Sequence, residues 1–188
     1  MKKIHLDLHT ILTLMGITAM LLLVPFTAMQ ITEQVQWSPA DFIAAGTMLF
    51  GAGLAFLYLK NARPNRSYRI GAAVMAASVL FLVWSNLAVG IIGSENNSIN
   101  LLYFGIAGVA LAGSALSKLQ PGGMALTLIA MAFSQLLITG YALISGSQSL
   151  PGSSLLEILA VNGFFIALFL VSGLMFKRAE YDMDIIHS

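Results

Sequence analysis

All nine lysines and arginines of this chain fall at four places: Lys2 and Lys3; Lys60, Arg63, Arg66 and Arg69; Lys118; and Lys177 with Arg178. Six apolar segments lie between them, at roughly 11–29, 42–59, 70–92, 101–116, 124–145 and 155–176. Each is near the length of about 20 residues that carries a helix across about 30 Å of hydrocarbon. Six crossings put every basic residue on one side of a bilayer, and the bias of Lys and Arg toward cytoplasmic loops makes that side the cytoplasm. Glu33, Asp41, Glu95 and Glu157 fall on the other side, with no basic residue beside them. Dropping or merging one span would scatter the charges. The expected fold is therefore an all-α integral membrane protein, a single six-transmembrane-helix bundle over 1–188, with both termini cytoplasmic.

Composition agrees. Hydrophobic residues make up 58% of the chain and charged ones 9%, with a mean hydropathy of +0.87, whereas soluble domains carry roughly 25% charged residues. No stretch between the apolar runs is long enough to fold as a soluble domain of its own. The absence of cysteine excludes disulfides, thiolate chemistry and iron–sulfur ligation by this chain.

The turns fit the same path. Arg63-Pro64-Asn65 and Gln120-Pro121-Gly122-Gly123 break helices at the basic end. At the other end Ser38-Pro39-Ala40-Asp41 opens the second span, Ser38 capping and Pro39 preset for the first turn. Leu150-Pro151-Gly152-Ser153-Ser154 does the same before the sixth span. The opening Met1-Lys2-Lys3 imitates a secretory signal. Phe26-Thr27-Ala28-Met29-Gln30 lacks a small-x-small cleavage pattern, however, so the segment reads as an uncleaved first helix with Pro25 in its outer turns. The acidic tail from Glu180 to Ser188 is expected to fray.

A weak repeat links the even-numbered spans. A step of 57 residues takes Gly51 and Ala55 to Gly108 and Ala112; a step of 116 takes Asp41 to Glu157 and Gly51 to Ala167. Small residues four apart let helices approach closely in lipid, which suggests three pseudo-repeated helical hairpins. The abundance of Gly and Ala accounts for the same spacing without a repeat.

Apart from Glu157 in the opening turn of the sixth, the six spans hold no Asp, Glu, Lys, Arg or His. Ionisable groups at mid-membrane usually mark proton relays and ion pathways, so a proton-coupled pump is disfavoured, as is a buried haem. The polar residues that remain within the spans include Asn86, Gln135 and Asn162, with Asn86 and Asn162 each about two turns from the acidic end. Asn86 and Asn162, together with Glu95, Asn97 and Asn100, and with Asp41 and Glu157 at the rim, form a candidate pocket open to the outer side that suits a cation or small polar solute. The bland alternative is that the amides bridge helices and the acids favour helix starts. Gly90 and Gly93 bracket Ile91-Ile92, where the third span loosens or ends. His5 and His9 share a helix face at a metal-compatible spacing. No metalloprotease glutamate accompanies them, and interfacial histidines explain the pair, so no metal is assigned. No cofactor, catalytic pair, phosphate loop or nucleic-acid patch is expected.

Several stretches carry a resemblance. They are Ala28-Met29-Gln30 with Glu33 and Trp37, Asp41-Phe42, Asn86-Leu87-Ala88-Val89-Gly90-Ile91-Ile92-Gly93-Ser94-Glu95, then Asn97, Asn100 and Tyr103, and Asn162-Gly163-Phe164-Phe165. Through them the chain resembles a family of small, uncharacterised bacterial inner-membrane proteins. That family usually shows Asp-Asn-Pro-Ala-Asn where this chain has Asn96-Asn97-Ser98-Ile99-Asn100, so one corner carboxylate is missing from any cation site here. The resemblance implies a bacterial cytoplasmic membrane and brings no activity. Three functions stay open. The first is a small transport or channel module built on the amide pocket. The second is a non-enzymatic accessory protein that binds a membrane-protein partner, or another copy of itself, through its Gly/Ala stripes. The third is a membrane enzyme acting on lipid or quinone, which lacks an acid–base pair.

Overall fold

The computed structural model describes residues 7–187. Among them lie six long helices and no strand: α1 (Leu8–Ile31), α2 (Pro39–Ala62), α3 (Arg66–Ala88), α4 (Leu102–Leu116), α5 (Pro121–Ile144) and α6 (Leu155–His187). A short 3-10 turn, Ser98–Leu101, leads into α4. All six are long and apolar enough to cross a membrane when that turn is counted with α4. Leucines such as Leu12, Leu111, Leu126 and Leu174 point outward, while the buried set includes Ser78, Gln135, Asn162 and Ser172. Apolar side chains outside and hydrogen-bonded polar groups inside suit a lipid surrounding, where backbone polar groups must be satisfied within the helices.

Local chemistry sets the helix starts. Ser38 and Asp41 form a reciprocal capping box: the Ser38 amide donates to Asp41 Oδ2 at 2.7 Å and the Asp41 amide to Ser38 Oγ at 3.3 Å. Ser154 and Glu157 repeat the arrangement ahead of α6, at 2.6 and 3.2 Å. Asn65 caps α3 through the Tyr68 amide.

The helices run alternately up and down. Leu14 of α1 lies against Gly53 of α2, and Leu22 against Gly46, so those two are antiparallel. At the basic end Tyr68 Oη donates to the Leu119 carbonyl at 3.1 Å, joining the α2–α3 side to the α4–α5 corner. Asp182, far along α6, accepts from Asn65 Nδ2 and Ser67 Oγ. The basic clusters among the described residues therefore gather at one end of the bundle.

Packing is uneven. α6 lies along both α5 and α3, α4 closes on α5, and α3 and α4 touch more sparingly. The first two helices attach through α2 on α3. The α3–α6 seam is close because Gly71 has no side chain: a Cβ there would stand 3.1 Å from the Phe176 ring. Ser172 Oγ donates to the Gly71 carbonyl at 2.8 Å across that seam, and Tyr68 meets Phe176 edge to face at 4.9 Å. Three consecutive hairpins exist, but they pack unequally.

Two boundaries differ from expectation. α3 stops at Ala88 rather than 92, for a reason that lies in the corner described next. α6 is helical through the acidic tail, 33 residues in all, or about 50 Å. Ala179 is buried there and Asp182 is anchored to the start of α3, which holds the last turns.

Candidate functional site

The polar stretch after α3 folds into a knot around Asn100. Its side-chain Oδ1 accepts from the amides of Ile91 at 3.1 Å and Ile92 at 2.9 Å. Its Nδ2 donates to the carbonyls of Ile92 at 3.2 Å and Ser94 at 2.8 Å. One buried amide thus replaces the helical bonds that residues 91–94 give up, which is why an apolar run ends as helix at Ala88. Gly90 turns the chain at φ +73, and a Cβ there would stand 2.6 Å from the Ser94 carbonyl carbon and 2.7 Å from Asn100 Nδ2. Asn86, on the last turn of α3, donates from Nδ2 to the Asn100 carbonyl at 2.9 Å. Asn97 caps the turn into α4 through the Ile99 amide, and the Gly93 amide donates to Ser153 Oγ ahead of α6.

A second polar cluster joins α4, α5 and α6. Asn162 Oδ1 accepts from Tyr103 Oη at 2.9 Å and from Gln135 Nε2 at 2.8 Å, while its Nδ2 donates to the Ile158 carbonyl. Gln135 and Asn162 are both wholly buried.

The structure therefore sorts the seven candidate residues. Asn86 and Asn100 meet in the knot, Asn97 caps beside them, and Asn162 belongs to the separate Tyr103–Gln135 cluster. Asp41 and Glu157 are exposed members of capping boxes. Glu95 is exposed and accepts from its neighbour Asn96. Among the described residues two buried side-chain oxygens have no partner, Asn86 Oδ1 and Gln135 Oε1. Among the described residues no three His, Asp or Glu side chains gather as metal ligands; His5, of the His5/His9 pair, lies outside those residues.

An opening of another kind lies between α2, α3 and α4. α2 and α4 both flank α3 without packing firmly on each other, and they leave a cavity of about 590 Å³. Its walls are small or apolar: Gly51 and Ala55 of α2, Ala76 and Val79 of α3, Ala107 and Ala110 of α4. Its polar groups at the basic end are Tyr58, Ser114 and Lys118. On α2 the lining runs from Thr47 to Leu59, with roughly 16 Å between Thr47 and Tyr58 at 1.5 Å per residue; on α4 it runs from Ala107 to Ala115, roughly 12 Å, and Lys118 and Leu119 join it from the turn that follows. Lys118 and Leu119 adopt left-handed backbone at φ 49 and 58, an arrangement that costs roughly 1–3 kcal/mol for a residue with a side chain. The buried Leu119 side chain and the Tyr68 bond to its carbonyl hold them there.

Sequence reasoning named Gly51 and Ala55 as a packing stripe but did not find the groove. The signal was the run of small residues on α2 and α4; what was missing was that both helices lean on α3. No protein family, curated protein or solved structure matches this chain.

Proposed function

We propose that this chain is a non-catalytic accessory protein of a bacterial cytoplasmic membrane, both ends in the cytoplasm, that receives a hydrophobic molecule laterally from the bilayer. The groove between α2, α3 and α4 carries the reading. Its volume of about 590 Å³ falls within the range of about 300–1,000 Å³ typical of sites that enclose small ligands. Small side chains on all three walls bring the backbones within reach of an occupant, and in lipid close packing is what holds apolar partners together.

Native mass spectrometry of protein released from mild detergent tests this. Wild type is expected to carry a retained hydrophobic component, and Gly51→Leu and Ala55→Phe, which fill the groove, are expected to lose it. Leu137→Ala, on the outward face of α5, serves as the control. Equal retention by the filled variants would remove the groove as the site.

A second reading, a solute pathway through the amides, draws on the two unpartnered buried oxygens of Asn86 and Gln135. A buried carbonyl left without a donor calls for a partner, and an ordered water or an ion can supply one. It predicts flux of a small polar solute or monovalent cation into proteoliposomes that falls on Asn86→Leu. Equal flux in both, or none in either, would end it.

A further inference from the structure

The groove carries one charge, and its dimensions limit what lies beneath that charge. Between Tyr58 and Thr47 the lining extends roughly 16 Å along α2. That is close to half of the roughly 30 Å hydrocarbon thickness. A partner's transmembrane helix would traverse the whole thickness, whereas one acyl chain reaches from the head-group level to the midplane. At the open end Lys118 and Tyr58 stand where head groups lie, both exposed. Among the described residues Lys118 has no acidic partner, the ion pair there being Lys177 with Glu180. Lys60 is placed over the Phe56 ring instead.

From this charge, depth and volume we infer that the groove binds an anionic phospholipid: one acyl chain between α2 and α4, the phosphate at Lys118, and the Tyr58 and Ser114 hydroxyls within the head-group zone. The inference rests on the groove being a binding site and adds the class of its occupant. Tail burial alone does not select a lipid, because bilayer tails are already as apolar as the groove walls. Discrimination falls to the charge. A lysine at an anionic membrane surface favours the charged lipid by about five-fold. The left-handed backbone at Lys118 fits this role, since it is maintained at a cost and sets the one residue that supplies the charge.

The test uses the full-length protein equilibrated in nanodiscs of equal phosphatidylglycerol and phosphatidylcholine, with retained lipid read by native mass spectrometry. Wild type is expected to retain phosphatidylglycerol over phosphatidylcholine by about five-fold. Lys118→Gln is expected to approach parity and Lys118→Arg to restore the preference, with thermal melts confirming that each variant is folded. Parity in wild type, or an undiminished preference in Lys118→Gln, would overturn the anionic lipid. In that event, loss of all retained lipid on Ala55→Phe would leave the groove standing as a site. Undiminished retention by Ala55→Phe would instead remove the groove itself, and co-purification of a protein in place of lipid would overturn the inference.

Discussion

Around Asn100 four backbone groups of Ile91, Ile92 and Ser94 bond to a single side chain, and the turn at Gly90 admits no extra atom. Between α2 and α4 an equally small-residue surface encloses space instead of chain. The corner is rich in the polar residues that attract attention in a membrane sequence, yet most of those groups bond one another. The groove has few polar groups and stays open. In a bilayer, polar residues mark a site only where their hydrogen bonds are unfilled; small residues mark one where the helices that carry them do not meet.

The comparison can be broken by substitutions whose effects should rank clearly in reversible unfolding from mixed micelles. Asn100→Leu should do the most damage. It strips partners from two amides and two carbonyls, and at about 1–3 kcal/mol for each buried group left unpaired the loss should be on the order of 4 kcal/mol. A variant as stable as wild type would mean that the knot is open to water. Gly90→Ala comes next, at about 2 kcal/mol for left-handed backbone with further loss from crowding against Ser94. Asn162→Ala removes interhelical bonds from Tyr103 and Gln135, and at about 0.6 kcal/mol per such bond in membranes should cost about 1 kcal/mol. Tyr68→Phe, which frees the Leu119 carbonyl, should cost a similar or smaller amount. Ala55→Phe should change stability by no more than about 0.5 kcal/mol, because its side chain enters existing space. A large loss there would mean that the groove is closed by packing and would erase the contrast.

Much of this arrangement was legible beforehand. The apolar segments between the lysines and arginines correspond to the six long helices, and the Ser38–Asp41 cap could be read from four letters. The end of α3 was legible only in part: Gly90 and Gly93 mark where the span loosens or ends, but not that the helix stops at Ala88. Val89 to Ile92 are as apolar as the helix before them, and only the arrival of Asn100, several residues later, supplies a competing partner for their backbone. Asn86 and Asn162 illustrate a related limit. Depth placed them at one level, but which amide meets which depends on helix neighbours, and α3 turns toward α6 where sequence order suggests α4. The extension of α6 depends on Asn65 and Ser67, more than a hundred residues away.

The partnership of α3 with α6 also bears on how the chain is made. Translation delivers α3 before α6, so Gly71 waits for Ser172, and Gln135 for Asn162, until the α5–α6 hairpin emerges from the ribosome. A chain halted before residue 155 would hold α1 to α5 with the seam between α3 and α6 unfilled, a species that cellular quality control should remove quickly.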